Sequence, residues 1–348
     1  MLKFRQLSTG LAVAALLFVW SAASVAQKIA LNPDRPDRYV VVKGDTLWDI
    51  SARFLRDPWL WPEVWQANPQ IANPHLIYPG DTITLEIHNG KPVLRLHRGR
   101  KVVKLSPRMR KQPLNQAIPT IDPEAIRHFL NQARVVSEDE LKTAPYVLGG
   151  VEKRLLTGSP GEKIYARGVS DRWSGRYGVY RVGEAYRNPD DKKEILGYEV
   201  VRVADAVLDR GGDPATLRLL DVRQEIHTGD RLLPIAEDVA SAPYYLPHPP
   251  QPGMKGRIIS IFDGVSMVGQ YQGVVLDLGR QEGIEAGHVL AVYQSNGEMK
   301  DPVTGEMVRL PDERAGIVLV FRTFDKVSYA LLMQSTRPIH LMDTVRAP

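Results

Sequence analysis

The sequence predicts a multidomain α+β chain: a short N-terminal βααβ module, then a mainly β, duplicated, barrel- or sandwich-like C-terminal half. Three observations predict it. Near the start, a β-branched run breaks at Lys43-Gly44-Asp45 into residues at helical spacing, and a Pro/Gly loop later leads back into an alternating strand. From about Ala144 the chain carries β-type segments parted by glycine turns. Within that half, one order of segments occurs twice. A chain of 348 residues has room for two or three domains with their own cores, and its 26 prolines fall mostly in clusters, as stiff connectors between modules would place them.

Residues 1–26 have the form of a secretory signal. Lys3 and Arg5 are a basic start, Leu11–Trp20 is a short apolar core, and Ser24 and Ala26 are the small residues that a signal peptidase needs. The apolar run falls short of the roughly 20 residues that span a bilayer, and no later stretch reaches that length. The chain has no cysteine, which excludes disulfides and a lipid-bearing cysteine. The expectation is an exported protein of a bacterial envelope, with no transmembrane segment after cleavage.

The first module spans residues 38–87. Val40, Val41 and Val42 favour a strand, and Asp45 or Thr46 is placed to cap a helix beginning near Leu47. In Leu47–Arg56, the residues Leu47, Ile50, Phe54 and Trp48 share one helical face. Asp57-Pro58 ends that helix, and a second short helix follows with Pro62 at a tolerated early position. Asn73–Gly80 is a Pro/Gly loop before the alternating strand Asp81–Leu85, which pairs antiparallel with the first strand.

The opening "VVVKGDTLWDI", the Asn-Pro before Gln70 and the closing "LIYPGDTITL" together resemble the LysM family, nearly end to end over Tyr39 to about Ile87. The resemblance implies a βααβ fold that binds N-acetylglucosamine-containing glycans, notably peptidoglycan. It also implies a sugar groove between two lips: Gly44, Asp45, Thr46 and Leu47 on one side, and Pro74, His75, Leu76 and Ile77 on the other. A neutral sugar polymer needs backbone donors and acceptors plus flat apolar surface for its N-acetyl methyls. Two Gly/Pro-containing loops offer the first, and Leu47, Ile77 and Tyr78 the second. The same residues have structural work as well. A small module needs Leu47, Trp48, Ile50 and Tyr78 in its core, and turn geometry alone accounts for Gly44 and Gly80.

Residues 88–140 read as a basic, proline-marked connector. Residues 91–111 hold nine Lys or Arg and no Asp or Glu, and their alternation suggests an exposed strand. Such a run suits a solvated edge or an anionic lipid or wall polymer. Nucleic acid is not expected for an exported chain with no interleaved aromatics. A short helix is predicted over Pro123–Arg134, capped by Asp122.

The β-rich half divides into residues 141–240, a proline-rich extended spacer at 241–253, and residues 254–348. Lys163–Pro234 and Val274–Pro348 share an order: a strand, a Val-Tyr strand (Val179-Tyr180, Val292-Tyr293), an Asn/Asp-Pro turn, a long strand and a final strand. Each copy ends in Ile-His (Ile226-His227, Ile339-His340), followed by Asp230 or Asp343 before a terminal proline. One histidine per copy reads as a packing feature of repeated units rather than a metal pair.

The sequence offers no catalytic, cofactor-binding or metal-ligating residue. Thiol chemistry is excluded by the absence of cysteine. None of the eight histidines is followed four residues on by aspartate, and there is no His-x-His, His-Glu-x-x-His or Gly-x-Ser-x-Gly. The order of signal, LysM, basic connector and β-rich half, with Leu310–Leu331 ("LPDERAG…VFRTF…VSYAL"), resembles the type IV pilus secretin-associated family of Gram-negative bacteria. That resemblance implies a non-catalytic periplasmic scaffold. LysM would hold peptidoglycan while the β-rich half engages an outer-membrane secretin ring. A general wall-binding envelope adaptor is the alternative, and a wall hydrolase a more distant one.

Overall fold

The computed structural model describes residues 29–65, 77–98, 119–121, 133–150, 156–169, 175–235, 245–262 and 267–348. The predicted leader, Pro74–Leu76, the basic run beyond Arg98, and the cap Asp122 with residues 123–132 of the predicted helix lie outside them.

The N-terminal module contains β1 (Arg38–Val40), α1 (Leu47–Phe54), a 3-10 turn (Pro58–Leu60), α2 (Trp61–Trp65) and β2 (Thr82–His88). β1 and β2 pair antiparallel, with Tyr39 opposite Ile83. The helical face expected from spacing is the buried one: Leu47, Trp48, Ile50 and Phe54 pack with Trp59, Leu60, Trp61, Val64 and Trp65. Thr46, not Asp45, caps α1, its side chain accepting from the Asp49 amide. The sheet gains a third strand, β3 (Lys91–His97), which pairs along the whole of β2. Asn89 and Gly90 link them with positive φ at both positions, the geometry of a tight hairpin turn. The predicted boundary after residue 87 therefore falls inside a hairpin, and the basic connector begins as an edge strand of the module.

The next unit contains β4 (Ala133–Val136), α3 (Glu138–Thr143), β5 (Tyr146–Gly150), β6 (Leu156–Thr157), β7 (Lys163–Arg167), β8 (Arg176–Arg187), β9 (Ile195–Arg210), β10 (Ala215–Val222), β11 (Ile226–His227) and β12 (Arg231–Pro234). Ala133 and Arg134, which the sequence placed at the end of a helix, are strand instead. The β-branched pair Val135-Val136 finds a partner in β9, with Val136 opposite Tyr198. The sheet runs β10-β7-β5-β12-β8-β9-β4, and β10 also pairs with β9, so six strands curl into a ring. Ile164, Tyr177, Val179, Val203, Leu217 and Leu232 are part of its core.

The last unit contains β13 (Lys255–Ile261), β14 (Met267–Val268), β15 (Gly273–Leu276), β16 (Val289–Gln294), β17 (Glu298–Lys300), β18 (Met307–Arg309), β19 (Glu313–Thr323), β20 (Ser328–Ser335), β21 (Ile339–His340) and β22 (Thr344–Arg346). Six of these close a barrel in the order β13-β15-β20-β19-β16-β22. The ring of the preceding unit, followed from β5, reads β5-β7-β10-β9-β8-β12. Matched in chain order the two sequences of pairings coincide, and the two-stranded ribbons β6–β11 and β14–β21 occupy corresponding places. The exposed hairpin β17–β18 stands between β16 and β19, where the preceding unit has the Asn188–Glu194 turn.

Strands β19 and β20 are buried on both faces. Alternate side chains point in and out of a strand. Val318, Val320, Ala330 and Leu332 fill the barrel. Ile317, Leu319, Phe321, Tyr329, Leu331 and Met333 join the apolar cluster that includes the module's tryptophans and Val135 and Tyr186 of the preceding unit. Polar contacts border this seam. Tyr271 Oη donates to Asp49 Oδ1 at 3.0 Å, and Arg314 pairs with Asp57 at 2.8 Å. Lys326 reaches Glu194 at 2.6 Å, and Arg257 pairs with both Asp190 and Asp277. The described part of the proline-rich spacer is seated on the barrel, with the His248 amide donating to Gly287 O and Val289 N to His248 O.

Candidate functional site

The first lip begins as a four-residue turn, Val42 to Asp45. Its third residue must take a positive φ, which is 99° at Gly44, a conformation that glycine adopts without a steric penalty. The Asp45 carboxylate closes the turn by accepting from the Val42 amide at 2.8 Å and from Tyr39 Oη at 2.9 Å. Burial, followed by the hydrogen bond to Asp45, raises the Tyr39 pKa above the usual phenol range. Thr46 Oγ1 accepts from Asp49 N at 3.0 Å and donates to Asp49 Oδ2 at 2.7 Å.

The second lip ends in a turn of the same make. Gly80 has φ 97°, and Asp81 Oδ2 accepts from the Tyr78 amide at 3.0 Å. The Gly80 amide donates to Val41 O and the Val41 amide to Asp81 O, both at 2.8 Å, so the two turns are fastened to each other. Asp45 and Asp81 thus spend their carboxylates on the backbone of their own turns, Asp45 also accepting from the Tyr39 hydroxyl.

The structure places Gly44, Asp45, Thr46 and Leu47 together at the start of α1. Of the opposite lip it describes Ile77, while Pro74, His75 and Leu76 lie outside the described residues. Leu47 and Ile77, expected to offer apolar surface, are fully buried in the module core. Tyr78 is half-buried, with the Arg98 guanidinium 5.9 Å from its ring centre. Sequence reasoning missed residues 119–121. The Leu47 amide donates to Pro119 O at 2.9 Å and the Trp48 amide to Thr120 O at 3.1 Å, so these two donors of the first turn of α1 are already occupied. No local pattern signals that pairing, because the partners are far apart in the chain.

Among the described residues, His248, Glu285 and His288 bring their ligand atoms within 4.8 Å of one another. Hydrogen bonding sets the His288 proton against a metal there. The Glu285 amide donates to His288 Nδ1 at 3.0 Å, so the neutral ring carries its hydrogen on Nε2. His248 Nδ1 sits 2.9 Å from Leu246 O and donates to it. The two rings meet edge to face at 4.6 Å, and burial, then the neighbouring His248, lowers the His288 pKa. This contact fastens the spacer to the barrel.

Residues 39–86 match the LysM domain family, and the chain carries a LysM domain there. Such a domain implies binding of peptidoglycan or a chitin-like glycan. The chain is also similar to an uncharacterized protein, YqbP, of Bacillus subtilis (strain 168): 31% identical over 80 residues, covering 19% of this chain and 36% of that protein. The matched part is thus little more than a third of that relative's length.

Proposed function

We propose that this protein is a non-catalytic periplasmic scaffold: its LysM domain holds peptidoglycan, and its β-rich body holds an outer-membrane secretin ring of a type IV pilus to the wall. The observation that carries the reading is the joining of the glycan-binding module to that body. Apolar side chains of LysM and the outer face of the last barrel form one cluster, flanked by the Tyr271–Asp49 and Arg314–Asp57 contacts. Load applied to the body then reaches the wall through a packed interface rather than a flexible linker. We also infer that the two β units are copies of one ancestral unit, since their strands pair in the same order.

A second reading, an envelope adaptor with a different protein partner, is favoured by one observation. Much of the apolar part of Leu310–Leu331, which supports the secretin resemblance, is buried in packing within this chain. Barrel construction therefore explains those residue types without a partner.

The test is co-sedimentation of the chain from residue 27 with purified sacculi, and its capture of proteins from solubilised outer membrane. Sedimentation together with capture of a secretin is the expected result. Sedimentation with capture of some other protein leaves the adaptor, and failure to sediment removes both readings. Glycan cleavage by the purified chain, abolished by changing one acidic residue, would establish a hydrolase instead.

A further inference from the structure

The first turn of a helix presents backbone amides with no partner inside the helix. In α1 the Asp49 amide is taken by Thr46 Oγ1, and the amides of Leu47 and Trp48 remain to be satisfied. Both are satisfied by consecutive carbonyls of one distant segment, Pro119 O and Thr120 O. The segment is anchored by its side chains: Thr120 is 0% exposed and Ile121 1%. It is neither helix nor strand.

An N-acetyl sugar presents an amide carbonyl, which accepts from a backbone N–H, beside a methyl group that seeks apolar surface. Pro119 and Thr120 present the same chemistry to the same lip, two amide carbonyls, while the next residue, Ile121, buries an apolar side chain in the cluster that holds the module core. We propose that residues 119–121 are an internal occupant of the LysM lip, so that this segment and a glycan N-acetyl group compete for the amides of Leu47 and Trp48. The proposal rests on the glycan-binding reading and adds regulation to it. The chain is self-covered at this lip, and a partner that draws the segment away raises wall affinity. The apparent affinity of such a site is its intrinsic affinity reduced by the fraction of molecules in which it is open.

The test is titration of the N-acetylglucosamine hexamer into the chain from residue 27, by calorimetry, for the wild type and for Ile121→Ser. The variant loses the apolar anchor but keeps every backbone carbonyl. The expected result is at least roughly tenfold tighter binding by the variant, with an unchanged far-UV spectrum. Equal dissociation constants overturn the proposal and leave glycan binding by LysM intact. Weaker binding by the variant overturns it as well, because the segment then supports the site. No binding by either protein removes the glycan reading, and this proposal with it. A second measurement on the wild type is independent of the variant's folding. Saturating hexamer should move the Ile121 methyl resonances to the positions of an exposed isoleucine, and methyls that keep their buried shifts overturn the competition.

Discussion

Aspartate after a left-handed residue is the corner device of this chain. In Val42–Asp45, Tyr78–Asp81, His227–Asp230 and His340–Asp343 the carboxylate accepts from the amide three residues earlier, at 2.8 to 3.0 Å. Glu162, Gln272 and His288 close Ser159–Glu162, Gly269–Gln272 and Glu285–His288 in the same way. The Gly-Asp pairs that mark the LysM lips are therefore corners by construction, which is why they were legible in the sequence. The matching Ile-His-x-x-Asp ends of the two β units follow from the same turn chemistry. Asp45 is buried, and truncating it removes the charged acceptor of the Tyr39 hydroxyl and the Val42 amide. Asp45→Ala should cost about 2–3 kcal/mol, and Asp45→Asn less, since its amide oxygen still accepts. Met342 holds φ 71° where three sister turns have glycine, and its side chain is half exposed. Met342→Gly should raise stability by up to about 1 kcal/mol by relieving the left-handed strain. Urea midpoints at constant slope measure all three variants. A lower midpoint for Met342→Gly would show that the methionine carries no backbone cost.

At the scale of elements, strands were easier to read than what covers them. The Val-Tyr segments and the long apolar strands follow local pattern, while the hairpin at Asn89-Gly90 obeys a turn rule that the predicted module boundary at residue 87 overlooks. The run Ile317–Phe321 is apolar at every position, which signals burial on both faces. The covering residues could not be read from it. Arg314 and its partner Asp57 lie 257 positions apart, and no local period carries such a contact. The candidate site was legible to the same extent: its turns are local, while residues 119–121 close it from a distance. Two-sided burial makes a prediction that a free-standing barrel would not. Leu332→Ala, on the inner face, and Leu319→Ala, on the outer face, should each cost about 2–5 kcal/mol. If LysM and the preceding unit left the barrel's outside in water, Leu319→Ala would cost well under 1 kcal/mol, as surface changes do. Chemical denaturation of both variants decides between these cases.

For the whole molecule, the two β units meet through an apolar seam and through ion pairs that titrate. Asp190 is held below the ordinary carboxylate range by its hydrogen bond from Arg257, and Glu194 by those from Lys326 and then Asn188. A carboxylate with a depressed folded pKa stabilises the fold fully above its unfolded value, here 3.8 and 4.5, and loses that contribution as pH falls through its folded value. Glu199 works in the opposite sense. Burial raises its pKa, so the cost of its charge grows as pH climbs from 4.5 towards the folded value. The paired variant Asp190→Asn with Glu194→Gln removes only the first effect. It should be less stable than wild type at pH 7, with the difference shrinking below pH 4.5 and closing as pH falls through the folded values of the two carboxylates. Denaturant midpoints for both proteins across that range measure it. Curves that stay parallel as pH falls through the acid range would mean that the ion pairs contribute nothing pH-dependent to holding the units together, leaving the apolar seam to do so.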